Sequence, residues 1–211
     1  MQGHLDSPLT DRGMEQARSL ELLLALEPLG AVWTSDLGRC LDTTRLLLGK
    51  RHADTTALPC RTDSRLRELC LGDMQGMTHV EAKVKHPDAY TAFITYQVDV
   101  VMPSGESRLQ CLDRVLACLQ EIVADTLARP DRDPNASVLV VTHGGVLNMF
   151  LRHVLGIPLT APRRFSVPNG TLNRFQYQHG VWRMVTWGET HPQITEPPSS
   201  TESERSSSDI G

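Results

Sequence analysis

Apolar positions along the chain switch repeatedly between helical and extended spacing, and that alternation predicts the fold. Ala17, Leu20 and Leu24 fall three and four apart behind Thr10, which is suited to cap a helix; this first helix is expected to end near Pro28–Gly30. Ala31-Val32-Trp33 is a short continuous apolar run, the mark of a buried strand, after which Leu37, Leu41, Thr44 and Leu48 resume helical spacing up to Gly49. An extended segment is expected over Leu58–Leu66. Gly72 and Gly76 then break the pattern, two short helices follow on either side of Pro87, and Pro103-Ser104-Gly105 closes the excursion. Leu109, Leu112, Leu116, Leu119 and Val123 predict the longest helix, stopped by Pro130. Ser137–Val141 reads as a strand buried on both faces and Val146–Leu155 as a helix. Residues 171–177 and 181–187 read as a hairpin turning at His179-Gly180.

Strands alternating with helices predict an α/β fold: three layers, with a mostly parallel central sheet flanked by helices. One domain is expected over residues 1–188. From Glu189 to Gly211 Pro, Ser and Glu dominate and large apolar side chains are scarce. Such a segment cannot offset its ordering entropy, so a disordered tail is expected there.

Composition narrows the function. A formal net charge of -4 gives no footprint for nucleic acid. No apolar run approaches the roughly 18 residues that span a bilayer, and the first residues lack the layout of a secretory signal. A cytoplasmic protein with neither a nucleic-acid nor a membrane partner is expected. The five cysteines form no C-x-x-C pair, so neither a disulfide framework nor a zinc site is expected, and Cys111 and Cys118 read as core thiols. No G-x-G-x-x-G stands in a strand-to-helix setting, which argues against dinucleotide binding.

Three segments carry candidate chemistry. Val138–Gly145 delivers His143 to the carboxyl end of a strand, where Gly144 and Gly145 open the next helix and let an anion approach its N-terminus. Ser35-Asp36-Leu37-Gly38-Arg39 follows another strand and sets Arg39 in the first turn of a helix, where its guanidinium can fork onto phosphate oxygens. Leu66-Arg67-Glu68 puts a carboxylate before a glycine-punctuated loop. Like-charge repulsion beside a phosphate favours its protonated form, which suits Glu68 to protonate a leaving alcohol.

Together with Gly3-His4-Leu5-Asp6-Ser7-Pro8-Leu9-Thr10, Pro103-Ser104-Gly105-Glu106-Ser107 and Asn169, these segments resemble the histidine phosphatase (phosphoglycerate-mutase-like) family, in family order from Met1 to about Trp187. The resemblance implies a phosphohistidine mechanism without a metal or other cofactor, acting on a small phosphorylated metabolite. Arg39 would clamp the phosphate, Glu68 would serve as acid and then base, and His143 would stabilise charge on the transferred group. Gln2, Gly3 and Gly144 would border the substrate. The family's nucleophile belongs to an Arg-His-Gly motif after a first strand, and no Arg-His-Gly occurs in the 211 residues. Met1 is therefore expected to be an internal methionine of a longer protein. The 211-residue chain is expected to lack the first strand and the nucleophile, to be inactive, and to fold unstably.

The excursion has no arginine between Arg67 and Arg108, and Lys83 and Lys85 are its only candidate cations. Met74, Met77, Val80, Tyr90, Phe93 and Tyr96 give it an apolar character. These features favour a phosphomonoesterase resembling the α-ribazole-phosphatase-like branch. The alternatives are a phosphoglycerate mutase of the same fold and a catalytically dead protein that binds phosphorylated ligands.

Overall fold

A computed structural model of the chain describes residues 1–25, 27–49, 58–130 and 132–191. Most of the expected tail, from Pro192 on, lies outside the described residues.

Helix α1 (Asp11–Leu24) is capped by the Thr10 side chain, which accepts from the Gly13 amide. It buries Ala17, Leu20 and Leu24, the stripe its spacing predicts. Strand β1 (Leu29–Thr34) is longer than the apolar run that announces it, because pairing with a neighbour extends back to Leu29. Helix α2 (Gly38–Leu48) follows and ends at Gly49. Within Leu58–Leu66 only β2 (Cys60–Thr62) is a strand. The Asp63 carboxylate then caps a tight turn at Ser64–Leu66 by accepting from the Arg65 amide, so the segment is not extended throughout.

The excursion forms α3 (His79–Lys85) and α4 (Pro87–Ile94). Met74 is fully buried and Met77, Tyr90 and Phe93 pack on the core, but Val80 is exposed. Helix α5 (Arg108–Ala128) starts in a capping box of Ser107 and Gln110. Strand β3 (Ser137–Val141) leads to α6 (Gly144–Leu155), whose first turn takes in both glycines. The hairpin is β4 (Leu172–Gln178) and β5 (Val181–Glu189). His179 and Gly180 both have positive φ, the backbone a two-residue turn of this hand requires.

β1 pairs in parallel with β2 on one side and β3 on the other, giving the order β2-β1-β3. Alternate residues serve opposite layers. Val32, Leu139 and Val141 join Leu20, Leu24 and Leu47 from α1 and α2, while Ala31 and Trp33 join Val115, Leu119, Met149 and Phe150 from α5 and α6. This is the expected α/β architecture of a mostly parallel sheet between helical layers. No strand precedes α1, also as expected.

That absence has a shape. Among the described residues no strand borders the outer edge of β3, and β4 pairs only with β5. A cavity of about 1450 Å³ runs between them, lined by residues 137–141 and 172–177, by Leu20 and Leu24, and by Leu119 and Ile122. It reaches the carboxyl ends of the strands at Arg39, Glu68, His143 and Gly144. Among the described residues no helix is long and apolar enough to cross a membrane.

Candidate active site

The carboxyl ends of the parallel strands bring the predicted residues to one wall of this cavity. Ser35 and Asp36 leave β1, Thr142 and His143 leave β3, and Arg67 and Glu68 follow the turn after β2.

His143 stands at the N-cap position of α6 without a side-chain capping bond and is buried at 7% exposure. Arg39 Nε lies 3.2 Å from its Nδ1, and Ser35 Oγ lies 2.9 Å from its Nε2. A guanidinium can only donate, so Nδ1 is the acceptor and the ring proton sits on Nε2, facing Ser35. Burial, and then the positive charge of Arg39, push the imidazole pKa down to about 3, so His143 is neutral at physiological pH. Cys40 Sγ lies 3.4 Å from Nε2. Burial raises that thiol to about 12, which leaves it protonated and inert.

Arg39 is held by the residues that begin the chain. Its Nη1 donates to the Leu5 carbonyl at 2.8 Å and its Nη2 to the Gly3 carbonyl at 2.9 Å. With the bond to His143, three of the five guanidinium N–H groups are used. Asp6 lies 3.6 Å from the guanidinium and also caps α2 by accepting from the Gly38 and Arg39 amides. Gly3 sits at φ 56, and a Cβ there would run into the Gln75 side chain. The Gly3 carbonyl thus serves the arginine. Gln2 lines the cavity with its amide donating to Ser7 Oγ at 2.7 Å, and Asn169 lines it as well.

Glu68 is differently placed from what its loop position suggests. Its Oε2 accepts from the Gly145 amide at 2.9 Å and its Oε1 from the Leu69 amide at 2.8 Å. The α6 N-terminus, expected to meet a ligand anion through its glycines, therefore already holds the Glu68 carboxylate in its first turn. The Gly144 position is open, with only Val167 at ordinary contact from a Cβ built there.

The elements that fix Glu68 escape sequence reasoning. Arg114 on α5 donates from Nη1 to the carbonyls of Arg65 (2.7 Å) and Arg67 (2.8 Å), and from Nη2 to that of Glu68 (2.8 Å). The Glu106 carboxylate pairs with the same guanidinium at 2.5 Å and 2.9 Å and accepts from the Cys70 amide at 2.8 Å. His4 Nε2 adds a bond of 2.7 Å to the Glu68 carbonyl. Arg67 itself forks onto Asp36 at 2.7 and 2.6 Å, which ties the segment to the end of β1. That fork holds the Asp36 carboxyl below its ordinary value. Gly105-Glu106-Ser107, within one of the segments that carry the family resemblance, is the sequence signal for this scaffold.

Lys83 and Lys85 are exposed and take no part in the cavity wall. Among the described residues no group of three or more His, Cys, Asp or Glu side chains is arranged to hold a metal.

Known proteins are similar to this chain over most of its length. Phosphoglycerate mutase-like protein 4 of Arabidopsis thaliana is 34% identical over 192 residues, 90% of this chain and 77% of that protein. Glucosyl-3-phosphoglycerate phosphatase of Mycolicibacterium vanbaalenii is 38% identical over 160 residues, 75% of this chain and 68% of the relative. Among solved structures, YhfR of Bacillus stearothermophilus superposes with a TM-score of 0.76 at 32% identity, covering 90% of each chain. The sequence pattern of the histidine phosphatase superfamily (branch 1) matches residues 1–190, and the chain belongs to that family.

Proposed function

We propose that the Arg39–His143–Glu68 wall is the phosphate-handling part of a phosphomonoester hydrolase acting on a small phosphorylated metabolite. The observation that carries this reading is Arg39: a guanidinium in the cavity wall fixed by three bonds, with a neutral histidine locked beside it. Arg39 takes two phosphate oxygens, and its geometry is prepaid by the Gly3 and Leu5 carbonyls. The open Gly144 end of α6, which His143 borders, favours negative charge on the transferred group.

The reaction this wall suits is transfer of the phosphoryl group from an alcohol to a histidine nitrogen. As the P–O bond breaks, Glu68 gives its proton to the departing oxygen. In the second half it takes a proton from the water that cleaves the N–P bond. His143 does not fit the attacking role, since one ring nitrogen accepts from Arg39 and the other carries a proton toward Ser35. With no Arg-His-Gly in the 211 residues, the attacking histidine is not part of this polypeptide, which by itself binds phosphate without turning it over. A hydrolase is favoured over a mutase because Lys83 and Lys85 stand away from the cavity.

Isothermal titration of the purified chain with inorganic phosphate tests the wall. Arg39→Gln should weaken binding at least about tenfold, the scale of one charge-assisted hydrogen bond. Phosphate affinity indifferent to this substitution refutes the assignment.

A further inference from the structure

His143 has both ring nitrogens engaged by the protein, Nδ1 with Arg39 Nε and Nε2 with Ser35 Oγ. Its part in the site is therefore played through those two neighbours. Both come from one short stretch of chain: Ser35 directly follows β1, and Arg39 is the second residue of α2. The end of a strand and the start of a helix thus grip the imidazole from opposite sides.

Every proton in this clamp has one direction. A guanidinium only donates, so Nδ1 accepts and Nε2 carries the ring proton. Ser35 Oγ must then accept from Nε2, which leaves its own proton for the Cys40 sulfur, to which it is hydrogen-bonded. The thiol in turn donates to the Thr142 carbonyl, 3.7 Å away. Ser35 is fully buried and its backbone is pinned. Its amide donates to the Val141 carbonyl at 2.9 Å, and its carbonyl accepts from Thr34 Oγ1 at 3.1 Å, which accepts from Thr44 Oγ1 at 3.0 Å. Reversing any member of this series sets two donors or two acceptors face to face in a dry site, so the buried network has one arrangement.

Arg39 is where the series ends. Its other partners, Gly3, Leu5 and Asp6, all lie on the segment before α1, whereas His143 follows β3. The Nε bond is thus the tether that refers the guanidinium to the sheet, and for a rigid planar group that tether sets the plane of the fork. We infer that Ser35 and His143 are positioning residues for Arg39, Ser35 acting through the imidazole to hold the guanidinium in the plane that receives phosphate. This rests on Arg39 being the phosphate site. It gives His143 a part other than direct contact with the transferred group.

The test reads the guanidinium first and its ligand second. By NMR of the isotopically labelled chain, the Arg39 Nε–H should exchange slowly with water in wild type, and Ser35→Ala should speed that exchange at least about tenfold. Titrated with inorganic phosphate, Ser35→Ala should bind at least about fivefold more weakly than wild type. On an Arg39→Gln background the same change should alter affinity by a factor of about one. His143→Asn, whose amide oxygen can stand in for Nδ1 as the acceptor, should stay within about twofold of wild type, while His143→Ala should lose about as much as Ser35→Ala. That pair decides the matter if the serine variant does not fold. A loss of equal size with and without Arg39 means that Ser35 merely supports the fold, and overturns the inference. So does Nε–H exchange unchanged in Ser35→Ala, or His143→Asn binding as weakly as His143→Ala. Wild type that binds no phosphate overturns the Arg39 reading instead; the exchange comparison, which needs no ligand, still decides whether Ser35 holds the guanidinium.

Discussion

Replacing Arg114 with methionine should cost the fold about 3–4 kcal/mol, because the guanidinium ties α5 to the carbonyls of Arg65, Arg67 and Glu68. The magnitude follows from exposure. Arg114 is 19% and Glu106 15% exposed, so the pair is neither a free surface bridge, worth at most about 1 kcal/mol, nor fully dry. Methionine keeps the stem's packing but takes from the Glu106 carboxylate its charged partner, and leaves the carbonyls of Arg65 and Arg67 short of a donor and that of Glu68 with His4. Removing one partner of a buried pair costs about 3–5 kcal/mol, and the residual exposure argues for the lower part of that range. With a urea slope of about 2 kcal/mol/M, the midpoint should fall by about 1.5–2 M. The double variant Glu106→Leu/Arg114→Met should lose clearly less than the sum of its singles. Burial raises the Glu106 carboxyl, but its bonds to Arg114 and the Cys70 amide outweigh this and leave it below the ordinary value. The stability so gained is present above the unfolded carboxyl pKa of about 4.3 and is lost as pH falls through the folded value. The gap between wild type and Arg114→Met should therefore narrow in acid. A loss under about 1 kcal/mol, or a gap constant from pH 7 to about pH 3.5, refutes the reasoning.

His143 should show no imidazole titration by NMR between about pH 5 and 9 and should carry its proton on Nε2, since its pKa lies near 3. Because that value lies below the unfolded 6.5, its contribution to stability is complete above about pH 6.5 and is lost as pH falls toward 3; a resonance titrating near 6.5 contradicts the burial argument. Gly145→Ala should expel Glu68 from the α6 N-terminus, because a Cβ there runs into the Glu68 carboxylate. The expected result is a melting temperature lower by several degrees, about 1–2 kcal/mol for a lost charge-assisted bond; a variant as stable as wild type refutes it.

Much of the fold was legible because its signals are periodic. The α1 stripe of Ala17, Leu20 and Leu24, the continuous run at Ser137–Val141 and the turn at His179-Gly180 each state their structure locally. Cys60–Thr62 offers no such signal, for all three residues are exposed and the strand exists only through pairing with β1. The end of that segment was misread because the Asp63 side chain competes for the backbone and closes a turn. The candidate site was legible as positions, since Arg39 and His143 follow strands and the strands run parallel. Its wiring was not. Arg114 sits on a helix like any surface arginine, and nothing in its spacing says that its guanidinium reaches carbonyls 46 to 49 residues earlier in the chain. Arg108, at a helix start, likewise gives no sign of being buried against Tyr96. Nor does the sequence reveal that Glu68 takes the Gly145 amide, a contact between segments 77 residues apart.

Hydrolysis of p-nitrophenyl phosphate by the purified 211-residue chain, followed beside its Arg39→Gln variant, tests most directly the claim of a complete phosphate wall without an attacking histidine. The account predicts that wild type releases p-nitrophenol no faster than the variant, even at phosphate-ester concentrations that saturate the Arg39 site. Robust turnover by wild type that Arg39→Gln abolishes would contradict it, and would mean that a histidine within these residues does the attacking.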